Sequence, residues 1–555
     1  MRRRVPTQHV EEDRISADRK RSGAPKRENP WSESKLLLCC ISFRLLNALV
    51  LQTFFNPDEY WQSVEVAHRI VFGYGHLTWE WSKGIRSYVH PLIFAGLYKV
   101  LKFTKMDTRW LVMKAPRLLQ GLFAAAGDLY LFRLARLYWG DHTAKWAIFC
   151  QLCNWFNFFC MVRTFSNCLE TVLTLAALYH WVVGERSLKS NCFSLFTARQ
   201  LALFLAALAC VIRPTSAIVW MYVGLIGLIK TDKKSQLLFE VIVIGVFTFG
   251  ASCLADRWMY GKWILVPLNF LRFNFFASGG NYYGTHPWHW YFSQGFPAII
   301  MTFLPLSILG IWWSKQWQLA GLMGWVLSLY SCLGHKEFRF VLPVLPIGLM
   351  FAGYALARMQ YCVEEQCFDS GSTLHEASKT KTDGNMFNFS KGKMRSWGHA
   401  CIIGLLITNI PTALYTSLVH QRGTETVMHV LSEEIVRGDA TNIVYLMPCH
   451  STPYYSFLHS NVTLRFLDCT PSNEEGYVDE SDRFLAEPAL FLDTFLRNEV
   501  QLPSHFVLYD SVEKRLLPFF KEYGYQQVRR IFHAHLPVDH GLINHVIVYR
   551  LGEGR

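Results

Sequence analysis

The sequence predicts a polytopic α-helical membrane protein with a small α/β domain after its last span. Three observations carry this reading. Of 555 residues, 51% are hydrophobic and only 17% are charged, whereas average soluble domains carry about 25% charged residues. The apolar residues are bunched into continuous runs of membrane-crossing length and do not alternate as in a β-barrel. The basic residues cluster in short segments between those runs. The net charge of +13 therefore follows from the positive-inside rule, and no nucleic-acid partner is expected.

Residues 1–35 are polar and basic and read as a cytosolic tail. Leu36–Phe55 then crosses, with Arg44 inside the span, and residues 56–88 form an aromatic-rich loop on the far side. Val89–Leu101 is expected to return, Lys102, Lys105, Arg109 and Lys114 to mark a cytosolic turn, and Leu118–Leu134 to cross outward. Two arrangements fit residues 144–229. One has three spans, Ala144–Met161, Cys168–Val183 and Leu201–Ile229; the other leaves 144–162 uncrossed and splits 201–229 at Arg213-Pro214. Charge favours the second, which puts the basic segment Arg186–Arg199 in the cytosol and Arg163 and Arg213 on the far side.

Leu237–Leu254, Ala298–Trp313, Leu319–Leu333 and Val341–Leu356 continue the alternation, closing a membrane domain at 36–357. Residues 358–398 read as a cytosolic linker and 399–419 as the last transmembrane helix. The total is roughly eleven spans. An odd count from a cytosolic start puts residues 420–555 on the far side. There Ile443–Met447, Val462–Leu467, Phe506–Tyr509 and Val546–Tyr549 read as strands. Ser481–Phe495 and Val512–Tyr523 read as helices, each interrupted by a proline. Asn461 opens a glycosylation sequon that suits a luminal tail, while the sequon at Asn388 falls in the cytosolic linker. Cys449 and Cys469 are the only cysteines of the tail and are able to pair in an oxidising lumen. The Cys150–Cys153 pair sits in an apolar run without a second pair to complete four zinc ligands, so no metal is expected.

Polar and aromatic residues concentrate in three far-side elements, 56–62, 283–291 and 334–339. Asp58 and Glu59 follow directly on the first span. A carboxylate there serves either as the general base for an attacking hydroxyl or, at Asp58, as a helix N-cap; the residues leave both open. His335, Lys336 and Arg339 put a histidine and two cations in one short loop. That loop lies on the side the positive-inside rule disfavours, which points to phosphate binding over a snorkelling surface. Tyr283, His286, Trp288 and His289 suit a sugar-binding face or an interfacial aromatic belt equally well. Arg163 and Arg213 need partners inside the membrane, for substrate or for structure.

Asn56-Pro57-Asp58-Glu59-Tyr60-Trp61-Gln62 resembles the first luminal loop of glycosyltransferase family 22, the dolichyl-phosphate-mannose-dependent mannosyltransferases. Arg163–Asn167, Arg213–Ser216, Tyr283–Tyr291 and His335–Phe340 resemble that family's other recurrent stretches, so the likeness runs over roughly 36–357. The usual loop begins with His where this chain has Asn56, which leaves both carboxylates intact. The resemblance implies a GT-C fold in the endoplasmic reticulum membrane, a luminal active site and dolichyl-phosphate-mannose as donor, without cofactor or metal. It further implies inverting transfer with Asp58 as base and with His335, Lys336 and Arg339 offsetting the phosphate charge. The His286–Tyr291 stretch and Met447–Pro453 look closest to the branch that adds a third, α1,2-linked mannose to a glycosylphosphatidylinositol (GPI) precursor. The nearest alternative is a sister enzyme acting on dolichol-linked oligosaccharide. A transporter would be expected to show internal repeats, and no clear repeat is visible.

Overall fold

The computed structural model describes residues 30–187, 197–276, 284–361, 384–472, 476–497, 501–537 and 543–552. The apolar runs form helices α1 (Pro30–Val50), α2 (Glu65–Phe72), α3 (Val89–Phe103), α4 (Arg109–Cys153), α5 (Ser166–Ser187) and α6 (Ala198–Ile212). They continue as α7 (Ala217–Lys230), α8 (Lys234–Tyr260), α9 (Leu304–Ser314), α10 (Trp317–Ser331), α11 (Leu345–Tyr361) and α12 (Gly384–Leu418). Among the described residues, five stretches are long and apolar enough to cross a membrane: Arg109–Cys153, Lys234–Tyr260, Tyr291–Ser314, Phe338–Gln360 and Ser396–Arg437. Their surroundings differ. On α8, Phe247 is 73% exposed, as suits a helix facing lipid. On α11, Ile347, Met350 and Phe351 are fully buried. A Cβ on Gly353 would lie 2.5 Å from the Ala147 backbone, so the small residue lets α11 and α4 meet backbone to backbone.

Ion pairs set the direction of the first helices. Arg44 of α1 is fully buried and grips Asp128 of α4 at 2.7 and 2.9 Å, which supplies the partner an intramembrane arginine requires. Toward one end of α4, Arg133 and Arg136 meet Glu33 at the start of α1. Toward the other end, Arg117 meets Glu59. The two helices are therefore antiparallel, between an end that carries Asp58 and an opposite end that carries Glu33. At Gly140 α4 breaks, with φ 84° and ψ 177°, a conformation open to glycine. The chain then runs back to the Asp58 end, where Arg163 meets Thr53 and Glu59.

Three expectations about this region change. Val89–Leu101 does not return to the opposite end: α3 packs on α2, and Lys102 donates to the Val71 carbonyl at 2.9 Å. Arg109 and Lys114 mark no opposite-end turn; they donate to the carbonyls of Phe457, Met428 and Leu51. Residues 144–162 do run between the two ends, whereas the break at Arg213-Pro214 falls as expected, at an extended Arg213 followed by one 3-10 turn. Finally, helix resumes at Gly384, well inside the expected 358–398 linker; the side chain of Asn388 lies outside the described residues.

After α13 (Gly423–Arg437) come strands β1 (Asn442–Leu446) and β2 (Thr463–Phe466), helix α14 (Pro488–Arg497), β3 (His505–Tyr509), helix α15 (Asp510–Tyr523), β4 (Tyr525–Phe532) and β5 (His545–Leu551). The sheet order is β2-β1-β3-β5-β4, with β2, β1 and β3 parallel. Alternating residues face opposite sides. Val444, Phe506 and Ile547 pack with Leu516 and Phe520 of α15. Ile443, Tyr445 and Val507 share a core with Met428 and Leu431 of α13 and, beyond them, with Tyr60, Trp61, Phe94 and Val112. The C-terminal domain is thus built into the loop that carries Asp58. The four expected strands are present; β4 adds a fifth, an edge strand whose Gln526, Gln527, Arg529 and Arg530 are exposed. Pro488 divides one expected helix, but Pro518 sits inside an unbroken α15. Cys449 and Cys469 form a disulfide.

Candidate active site

After α1 and a short extended segment, Pro57 starts a new turn and Asn56 caps it. The Asn56 side chain accepts from the Asp58 N–H at 3.0 Å and donates to Glu337 at 3.2 Å. Asn56, and not Asp58, therefore does the capping. This frees the Asp58 carboxylate for other work: its Oδ2 accepts from Arg339 at 2.5 Å, and its side chain keeps 24% exposure. No donor among the described residues reaches its Oδ1.

Glu59 faces the other way. It is fully buried between Arg117 and Arg163, at 2.8 and 2.7 Å. Arg117 also grips Glu425 of α13 and the Tyr60 hydroxyl, each at 2.6 Å. Both of its oxygens are held by these arginines, so the expected catalytic role of Glu59 gives way to a structural one. Arg163 changes in the same manner: it is fully buried, and its donors go to Thr53, Phe159 and Glu59. Arg213 pairs with Glu170 at 3.2 Å and donates to Asn167 at 3.1 Å, beneath the ring of Phe340.

The 334–339 loop closes over Asp58. Glu337, which sequence reasoning passed over, is its hub. Arg339 binds Glu337 through two nitrogens, at 2.6 and 2.8 Å, and His335 Nε2 lies 3.0 Å from it. A carboxylate two residues from a histidine on one side and an arginine on the other was visible in the sequence. Burial pushes the Glu337 carboxyl up, but Arg339 and His335 outweigh it and hold the group well below the usual carboxylate range. Burial alone would lower His335; the Glu337 carboxylate reverses this and raises the imidazole above its ordinary value.

Lys336 is buried, and its ammonium donates to the carbonyls of Leu333, His286 and Gly334 at 2.5, 2.8 and 3.5 Å. It has no donor left for a phosphate, so its expected phosphate contact becomes a brace between the loops. Lys336→Ala is expected to remove about 1–3 kcal/mol of stability by leaving buried carbonyls unpaired. A thermal-aggregation midpoint in detergent measures this; an unchanged midpoint with a raised donor requirement would restore the phosphate role.

The third element joins through the same brace. Tyr291 is fully buried, its hydroxyl donating to the Glu337 carbonyl at 3.0 Å. His286, Trp288 and His289 stay exposed, Trp288 at 72%. His286 stacks on buried Trp290 with ring centroids 4.7 Å apart, and His289 bonds Ser293 at 2.9 Å. Tyr283 lies outside the described residues. All three stretches singled out in the sequence therefore meet at one place, around Asp58 and Glu337, of which Arg339 holds both oxygens of Glu337 but only one of Asp58.

From the opposite wall, the C-terminal domain reaches the same helix turn. Trp61 donates to the Thr452 carbonyl at 3.1 Å. Glu65, buried, accepts from the backbone of Tyr454 and from the hydroxyl of Ser456 at 2.8 and 2.6 Å; burial raises its carboxyl to about 7 despite these bonds.

The family model of the Alg9-like mannosyltransferases matches residues 35–459. Mannosyltransferase APTG1 of Arabidopsis thaliana is 52% identical over 519 residues, covering 93% of this chain and 92% of the relative. GPI alpha-1,2-mannosyltransferase 3 of Mus musculus is 39% identical over 558 residues, covering 99% of this chain and 93% of the relative. Among solved structures, ArnT from Cupriavidus metallidurans bound to undecaprenyl phosphate superposes with a TM-score of 0.53 at 12% identity, over 93% of this chain and 97% of that one. The fold is thus of the GT-C type, in a multi-pass membrane protein. The chain belongs to the Alg9-like mannosyltransferase family, glycosyltransferase family 22, and is a glycosyltransferase that works with a sugar donor and a glycolipid acceptor in a membrane.

Proposed function

We propose that this enzyme adds the third mannose of the GPI precursor, in α1,2 linkage, taking it from dolichyl-phosphate-mannose at the luminal face of the endoplasmic reticulum membrane, which it crosses roughly eleven times. The observation that carries the chemistry is the partly exposed Asp58 carboxylate, fixed at one oxygen by Arg339 and open at the other. The names of relatives spread over 93% or more of this chain support the GPI acceptor.

In this reading the acceptor hydroxyl attacks mannose C1 from the face opposite the phosphate. Its proton passes to Asp58, the C1–O(phosphate) bond breaks, and dolichyl phosphate leaves with the electron pair. The β-linked donor becomes an α-linked product. Arg339, bonded to Asp58, and His335, bonded to Glu337 in the same loop, offset charge on the departing phosphate. A phosphate leaving group is already a stable anion, so the mechanism asks for no strong acid, metal or cofactor. Exposed His286, Trp288 and His289 present a rim of rings to a sugar or lipid headgroup.

Cells lacking this chain are expected to accumulate a GPI precursor with two mannoses. Re-expression should convert it to a three-mannose form that α1,2-mannosidase trims. Accumulation of a truncated dolichol-linked oligosaccharide would make the protein the sister enzyme instead. The sidedness has its own test: Asn461, exposed before β2, should carry a glycan that Asn461→Gln removes. Digestion of the C-terminal domain by protease in sealed microsomes would overturn the luminal placement.

A further inference from the structure

The loop after β1 has no part in the mechanism above, yet it is the segment of the C-terminal domain that lies beside Asp58. His450 is its centre. Its backbone is left-handed, with φ 61°, a conformation that a residue with a Cβ keeps only when its surroundings impose it. The surroundings here do so. Cys449 is bridged to Cys469 immediately before it. The ring packs edge-on against Trp61 at 4.6 Å and near Phe466 at 5.0 Å. Trp61 stands three residues after Asp58 and is itself pinned to Thr452.

Trp61, Met447, Pro448, His450, Ser451 and Phe466 are among the residues that line this seam. No hydrogen-bond partner among the described residues reaches His450 Nε2. Asp58 lies within electrostatic range of the ring, but burial, and after it His76, dominates and lowers the imidazole to about 4. A neutral imidazole both donates and accepts, which is what a sugar hydroxyl needs from a partner. An aromatic wall next to it is the surface on which the apolar face of a sugar ring rests.

We propose that the C-terminal domain supplies the acceptor side of the site, with His450 hydrogen-bonding a hydroxyl of the acceptor's terminal sugar beside Asp58. This rests on the mannosyl-transfer reading above and adds to it the element that selects the glycolipid. The donor side, formed by the 334–339 loop, and the acceptor side, formed by the 447–454 loop, then flank Asp58 from two walls. Acceptor and donor affinities therefore separate genetically.

The test uses full-length protein in microsomes, dolichyl-phosphate-[3H]mannose as donor and, as acceptor, the glycolipid that accumulates in cells lacking the chain. His450→Ala is expected to raise the acceptor KM about tenfold, the loss of one sugar hydrogen bond, with the donor KM changed less than twofold. His450→Asn keeps a polar side chain and tolerates the left-handed backbone, so it should recover most of the loss and remains informative where the alanine variant misfolds. Non-reducing gels check that the Cys449–Cys469 bridge persists. An unchanged acceptor KM in both variants, or equal shifts in both KM values, overturns the proposal. If wild-type protein transfers instead to a dolichol-linked acceptor, the GPI reading fails, while the same KM comparison on that acceptor still decides the role of His450.

Discussion

Asp58→Asn is expected to lower mannosyl transfer by about 100- to 10,000-fold, the usual loss when one positioned base is removed. Protein level and thermal midpoint should stay near wild type. Asparagine keeps the size of the side chain and an oxygen for the Arg339 bond now made at 2.5 Å, but it has no affinity for a proton. Arg339 is not left stranded, because both of its Glu337 bonds persist. The backbone is not loosened either, because the Asn56 side chain holds the turn. The measurement is the initial rate of transfer in microsomes, together with restoration of surface GPI-anchored protein in null cells at matched expression. Full restoration by Asp58→Asn would remove Asp58 from catalysis.

The membrane-protein class and the meeting of three loops were legible in the sequence because each rests on a local signal. Long apolar runs announce helices, and the density of rings and charges announces the loops 56–62, 283–291 and 334–339. What one sequence does not state is which way a side chain points. Asp58 and Glu59 are neighbours, about 100° apart around a helical turn, so one faces the cleft and the other the core. Lys336 and Arg339 divide likewise, one into a nest of carbonyls and the other onto two carboxylates. Charge also misled where it had a private use. Lys102 and Arg109 look like a cytosolic turn, yet they bond carbonyls at the Asp58 end. The edge strand β4 escaped because Gln526, Gln527, Arg529 and Arg530 mask its apolar alternation. His450 was legible only as part of the Met447–Pro453 resemblance, without a role of its own; its left-handed backbone and its contact with Trp61 exist only in the fold.

Glu59→Gln should do its damage through stability, and that separates the two neighbouring carboxylates. The wild-type group sits at zero exposure against Arg117 and Arg163. Removing one partner of a buried ion pair leaves an uncompensated charge and costs about 3–5 kcal/mol. That is a large share of a total stability of roughly 5–15 kcal/mol, so the variant is expected to show a sharply lower thermal midpoint and reduced protein in the membrane. Arg117 retains Glu425, whereas Arg163 loses its only ion-pair partner among the described residues. Adding Arg163→Met to Glu59→Gln should therefore recover part of the midpoint, since both ends of the Arg163 pair are then neutral and close to the same volume. The readout is a thermal-aggregation curve of detergent-solubilised protein for the wild type, the two single variants and the double. Non-additive recovery in the double variant makes Glu59 the anchor that clamps the Asp58 turn to the bundle. A Glu59→Gln variant with wild-type stability and no transferase activity would instead return Glu59 to the chemistry.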